Sequence, residues 1–186
     1  MTNSLTTEPL LTAEDLYGLP DDDQSYELVE GRLVVSEPPG MWHGALVMRI
    51  GTRLTAFVDA NSLGLVVAES GYVLSRRPDT VRGPDVSFIR TDRLPARAVA
   101  HRFYEGAPDL AIEIVSPGDR AGELAHKVQG YLRAGTRAVW VVYPDTRSIV
   151  AHTPDGLARL HGPDDAIDGG DVLPGFTAPV AELLPE

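Results

Sequence analysis

Between Arg82 and Lys127 three ionisable side chains stand where packing alone would not put them. Asp85 follows Gly83-Pro84 at the head of the apolar run Val86-Ser87-Phe88-Ile89. Glu113 lies inside Leu110-Ala111-Ile112-Glu113-Ile114-Val115. Lys127 is the only lysine, the other fifteen basic residues being arginine. An ionised carboxylate on a buried strand loses several kcal/mol of hydration unless it is paired. A Mg²⁺ ion would satisfy both carboxylates, because it takes one or two of them together with waters and substrate phosphates. A lysine beside such a pair could orient the attacking water or offset charge developing on a phosphoryl group. Acid, acid and lysine at a sheet edge are what metal-dependent phosphodiester hydrolysis needs. A plain ion-pair reading stays open beside it. Glu123, four residues before Lys127, could pair with it on a helix surface, and Glu113 could pair with an arginine.

These residues need elements to place them. In 110–115, Leu110, Ile112 and Ile114 alternate with Ala111, Glu113 and Val115, which predicts a strand apolar on both faces and central in its sheet. Ser116-Pro117-Gly118 ends it. Asp119 is the expected N-cap of a helix running to Ala134 and closed by Gly135. On that helix Leu124, Lys127, Val128 and Tyr131 follow helical spacing, so Lys127 shares the inward stripe. Pro84 puts Asp85 at a strand start, since proline cannot donate to a central ladder.

Further elements follow from the same rules. Thr12 caps a short helix ending near Gly18, and Asp21-Asp22-Asp23 is an acidic turn. Tyr26–Val29 and Arg32–Val35 form a hairpin around Glu30-Gly31. Leu46, Ile50, Leu54, Phe57 and Val58 mark an amphipathic helix over 43–60, with His43 at its start as a surface or capping residue. Residues 64–74 give one or two strands, 75–83 an arginine-rich loop, and 90–107 a loop with a helical piece over Leu94–Ala100. Ala138–Tyr143 is a buried strand. Ile149–Thr153 and Leu157–Leu160 form an edge hairpin, and the acidic remainder adds a short strand and a wrapping tail.

The 186 residues suit one domain spanning 1–186, with 1–11 as a flexible leader. No run reaches the length of a membrane span, and the first twenty residues lack the basic flank of a signal peptide. With no cysteine, disulfides, thiolate catalysis and zinc–cysteine sites are excluded, and a cytoplasmic protein is the simplest expectation. The net charge of −11 is uneven. Residues 1–31 hold eight acidic and no basic side chains, and 144–186 eight acidic and two basic, which leaves the centre slightly positive. Avid, non-specific nucleic-acid binding is disfavoured. Arg76, Arg77, Arg82, Arg90, Arg93, Arg97 and Arg102 around the Asp85 strand leave room for a polyanion at one face, or form a solvated loop.

Taken together, the motifs resemble a known family. Pro84-Asp85, the Pro108–Pro117 run around Glu113, and Lys127 ahead of Tyr131 and Gly135 look like the Uma2 family of the PD-(D/E)XK restriction-endonuclease-like superfamily. So do Tyr26–Gly31, His43, Val139–Val142 and Leu173-Pro174-Gly175-Phe176, so the resemblance covers nearly the whole chain. It implies an α/β fold, a restriction-endonuclease-like core with a mixed β-sheet flanked by α-helices. It also implies a Mg²⁺- or Mn²⁺-dependent endonuclease cutting DNA, with Asp85 and Glu113 holding the metal and Lys127 assisting the water. Glu27 resembles the upstream acidic residue of such sites, as an extra ligand or base, and otherwise reads as an exposed hairpin carboxylate. The superfamily's strand lysine would fall at Val115, so the lysine here has moved to the following helix. Superfamily analogy adds a homodimer. Two other readings are a nuclease-fold binding or assembly module that cuts weakly or not at all, and an enzyme acting on another phosphate ester or nucleotide.

Overall fold

The structure is a computed structural model and describes residues 9–20, 22, 24–94 and 102–186. Helix α1 (Ala13–Tyr17) begins at Thr12, whose hydroxyl accepts the Asp15 N–H while the Asp15 carboxylate accepts the Thr12 N–H. That reciprocal cap supports a helix too short to persist on propensity alone. The Leu11 N–H donates to the Gly31 carbonyl and ties the preceding chain to the next turn. Strands β1 (Ser25–Val29) and β2 (Arg32–Ser36) make the expected hairpin, turned by Glu30 and Gly31 at φ of 50° and 76°. Positive φ at both central residues matches the twist of the flanking strands.

Helix α2 (Met41–Ala60) buries Leu46, Val47, Ile50, Leu54 and Val58, each contributing about 1.5–3 kcal/mol of apolar transfer. Strands β3 (Gly64–Ala68), β4 (Tyr72–Ser75), β5 (Thr80–Arg82) and β6 (Val86–Arg90) follow, then a 3-10 turn at Thr91–Arg93, β7 (Tyr104–Glu105) and β8 (Leu110–Ile114). Next come α3 (Ala121–Arg133), β9 (Ala138–Tyr143), β10 (Ser148–His152), β11 (Ala158–His161), β12 (Ala166–Asp168), β13 (Thr177–Pro179) and α4 (Val180–Leu183).

Six strands in the order β11-β10-β9-β8-β6-β3 form the central mixed sheet, with β8 and β9 parallel. Helix α2 covers one face through Val86, Phe88, Leu110, Ile112, Ile114, Trp140 and Val142. Val128 and Tyr131 of α3 pack against Ala111, Val139 and Val141 on the other. The α/β class and the flanking helices agree with the sequence reading. The alternation along β8 therefore aims Glu113 toward α3.

Several details differ from expectation. A second sheet, β2-β1-β5-β4-β7, stands apart from the central one, and β12 and β13 pair separately. The expected 75–83 loop contains β5, because partners on both sides, β1 and β4, give its three residues a ladder. Asp119 does not cap α3: its carboxylate accepts the Ser116 N–H, and the helix starts after Arg120 without a side-chain cap. The acidic tail forms two strands and a helical turn rather than one strand. Apart from Leu94, the helical piece expected at 94–100 lies outside the described residues. No helix among the described residues is long and apolar enough to cross a membrane.

Candidate active site

The chain passes from the second sheet to the central one through Gly83-Pro84-Asp85, between β5 and β6. Asp85 is fixed at the start of β6, where its Oδ2 accepts the Ile114 N–H at 2.5 Å. That bond bridges to β8, so Asp85 and Glu113 are held on adjacent strands. Glu113 is only 6% exposed. Its Oε1 accepts the Tyr131 hydroxyl at 2.8 Å and its Oε2 accepts Lys127 Nζ at 3.1 Å. Lys127 and Tyr131 are one helical turn apart on α3 and approach the same carboxylate from one side.

The second sheet closes the other flank. Glu27 of β1 lies 3.7 Å from Lys127 Nζ through Oε1, which also accepts the Gly83 N–H at 2.9 Å. Its Oε2 accepts Arg82 Nη1 at 2.6 Å. Lys127 therefore bridges two carboxylates from two sheets. The exposed-hairpin reading of Glu27 does not hold, because Glu27 is buried. The helix-surface pair with Glu123 does not form either; Glu123 faces Arg120 at 3.8 Å.

His43 completes the cluster and was not a candidate on sequence grounds. Its Nε2 lies 3.1 Å from Asp85 Oδ1, and its Nδ1 lies 3.2 Å from Ser116 Oγ. With Asp85 ionised, Nε2 donates, and in the neutral ring Nδ1 accepts the serine hydroxyl. Its place at the head of a helix and its part in the family resemblance were the only hints of a role. Tyr131 and Arg82 were visible as a stripe residue and a cluster residue, without their partners.

Burial, together with crowded negative charge, sets the electrostatics. Burial raises the Glu113 carboxyl from 4.5 to about 7; Lys127 opposes this, and the charges of Asp85 and Glu27 add to it. For Lys127, burial pulls the pKa down, but Glu113 and Glu27 outweigh it and hold the ammonium above its ordinary value. The hydrogen bond to Asp85 raises the His43 imidazole against its burial. Burial drives the Tyr131 hydroxyl well above its usual range, so it stays a donor. Among the described residues, no group of three or more His, Asp or Glu side chains is arranged to hold a metal ion.

The Glu27–Arg82 pair is nearly sequestered from water, which makes it sensitive to loss of either partner. Glu27→Ala should lower unfolding free energy by about 3 kcal/mol in urea titrations, because Arg82 is left charged and unpaired. A loss under about 0.5 kcal/mol, as for an exposed pair, would show that the pair is solvated.

Of the seven arginines in the cluster, Arg76, Arg82, Arg90 and Arg93 are spent on ion pairs. Arg76 binds Glu14, Asp79 and Glu105, Arg90 binds Asp92, and Arg93 binds Asp109. Arg97 lies outside the described residues.

The family profile described as "Uma2: Putative restriction endonuclease" matches residues 13–181. The chain belongs to the Uma2 family. All four carboxylate and lysine candidates fall inside the matched span. Among solved structures, this Uma2 chain is similar to one described as a "putative nuclease belonging to DUF820" from Anabaena variabilis ATCC 29413. The two share 20% identity and a TM-score of 0.82, over 94% of this chain and 97% of the other. That similarity is one of fold. No curated protein matches the chain.

Proposed function

We propose that this Uma2 protein is a Mg²⁺- or Mn²⁺-dependent endonuclease that hydrolyses DNA phosphodiester bonds. The observation that carries the reading is the convergence of Asp85, Glu113 and Lys127, from a strand start, a central strand and a helix. The donor set fits a hard divalent cation. Asp85 and Glu113 offer carboxylate oxygens with lone pairs beyond those already engaged, and the Glu113 carboxyl, raised chiefly by burial and further by the charges of Asp85 and Glu27, is one that a bound cation would hold ionised. Two carboxylates, with waters and phosphate oxygens completing the shell, suit Mg²⁺ better than a closed cage. Asp85 and Glu113 would hold the ion. When bound, it supplies Lewis-acid polarisation of the phosphoryl oxygen and a more acidic water.

The chain's own groups divide the remaining work. Water attacks phosphorus and releases its proton to solvent, a new P–O bond forms, the P–O bond to one sugar oxygen breaks, and the departing oxygen takes a proton from solvent. Lys127 remains protonated, so it serves as a hydrogen-bond donor and compact positive charge rather than as a base. Glu27, anchored by Arg82 and Gly83, holds Lys127 toward Glu113. Tyr131 fixes the Glu113 rotamer, and His43 fixes Asp85. A homodimer belongs to the same reading: edge strand β2 leaves Leu33, Val34 and Val35 exposed, an edge with no partner strand among the described residues that a second copy can cover.

Incubation with plasmid, single-stranded DNA, RNA and nucleotides under Mg²⁺ or Mn²⁺ tests the substrate class. DNA cleavage abolished by chelation is the expected outcome. Turnover of small phosphate esters alone would transfer the site to another hydrolase class.

A further inference from the structure

Neither the ion-pair network nor the overall charge explains how an acidic protein engages a polyanion at this cleft. Arg76, Arg82, Arg90 and Arg93 are each committed to carboxylates, and the net charge is −11. Phosphate attraction, the usual source of nucleic-acid affinity, is therefore scarce. An apolar feature beside the site is unused. Trp42 is 51% exposed, although tryptophan is highly buried on average in folded proteins. Among the described residues its ring makes no aromatic contact and its indole N–H has no acceptor, whereas the T-shaped and tilted ring pairs involve other residues.

Its backbone lies next to the site. Trp42 immediately precedes His43, whose ring touches Asp85, so its Cα lies one peptide length, about 3.8 Å, from that of His43. Both residues sit in the first turn of α2, which holds Trp42 on a rigid element. Met41, the preceding residue, is 93% exposed.

We propose that Trp42 is a nucleobase-binding platform on which an unstacked base next to the scissile phosphate stacks. The proposal rests on the nuclease reading and adds a binding subsite to it. Stacking on an aromatic face needs no positive charge and tolerates every base, so it supplies sequence-independent affinity where arginines cannot. It also commits the substrate to single-stranded or locally opened DNA, since a paired base keeps both faces covered. Strand β2 and the Glu37–Gly40 connection, with two adjacent prolines, bring the chain from the hairpin to this turn.

Intrinsic fluorescence reads the proposal directly. The only other tryptophan, Trp140, is 2% exposed and shielded from a ligand. Titrating Asp85→Asn protein with a single-stranded oligonucleotide should quench Trp42, and the quench should vanish in Asp85→Asn/Trp42→Ala. In the otherwise wild-type protein, Trp42→Ala should raise KM for the oligonucleotide about 10-fold with kcat nearly unchanged, and Trp42→Phe should recover most of that loss. An unchanged KM in Trp42→Ala, quenching by closed duplex alone, or a Trp42 emission shift that follows protein concentration without DNA would overturn it. The last result would assign the ring to a self-association surface. Cleavage by the wild type without quenching sinks the platform and leaves the nuclease standing. Quenching without cleavage does the reverse.

Discussion

Asp85→Asn and Glu113→Gln are each expected to lower divalent-dependent DNA cleavage by at least about 10³-fold, the several kcal/mol that a correctly held metal contributes to the transition state. The double variant should be little worse than either single one, because the two carboxylates act as a unit. The stability effects of the two substitutions should diverge. Asp85 accepts the Ile114 N–H, so the amide replacement disturbs the junction between β6 and β8. Glu113 is different, because burial raises its carboxyl to about 7. Between its ordinary 4.5 and about 7 the folded chain retains a proton that the unfolded chain has released. Without metal, that group's contribution to stability is complete at low pH and is lost as pH rises through the window. Glu113→Gln should flatten this pH dependence in urea titrations and abolish cleavage. A variant that unfolds with the parent's pH profile would show that Glu113 titrates normally.

Lys127→Arg should cut activity by about 10²-fold or more with circular dichroism and melting temperature close to those of the parent. The ammonium fits between Glu113 and Glu27 as a compact donor. A planar guanidinium is wider and would crowd Arg82, whose charge already opposes that of Lys127. Lys127→Met removes the charge while keeping the aliphatic stem, and is expected to lose at least as much activity. Parent-like rates in both variants would mean that the lone lysine only neutralises buried carboxylates.

The sequence was informative where one periodicity decided the geometry. Alternation along 110–115 identified a central strand and set Glu113 opposite the hydrophobic face built by Leu110, Ile112 and Ile114. Helical spacing placed Lys127 on the inward stripe, and Pro84 placed Asp85 at a strand start. Contacts between distant segments were not legible. His43 reaches Asp85 across 42 residues, and Arg82 reaches Glu27 across 55. No local pattern encodes such pairs. The separation into two sheets was hidden for a related reason: β5 has three residues and becomes a strand only because β1 and β4 flank it. Asp119 illustrates a competition between equals, since an aspartate ahead of a helix can serve either its first turn or the preceding loop, and here it serves Ser116.

The family match covers residues 13–181 and the fold likeness nearly the whole chain, so the metal is the point on which the chemistry turns. Calorimetric titration of Mn²⁺ into the protein addresses it most directly. One saturable site is expected, lost in Asp85→Ala and in Glu113→Gln while both variants remain folded. Absence of any binding by the parent protein, or undiminished binding by both variants, would contradict a carboxylate-held metal at this site.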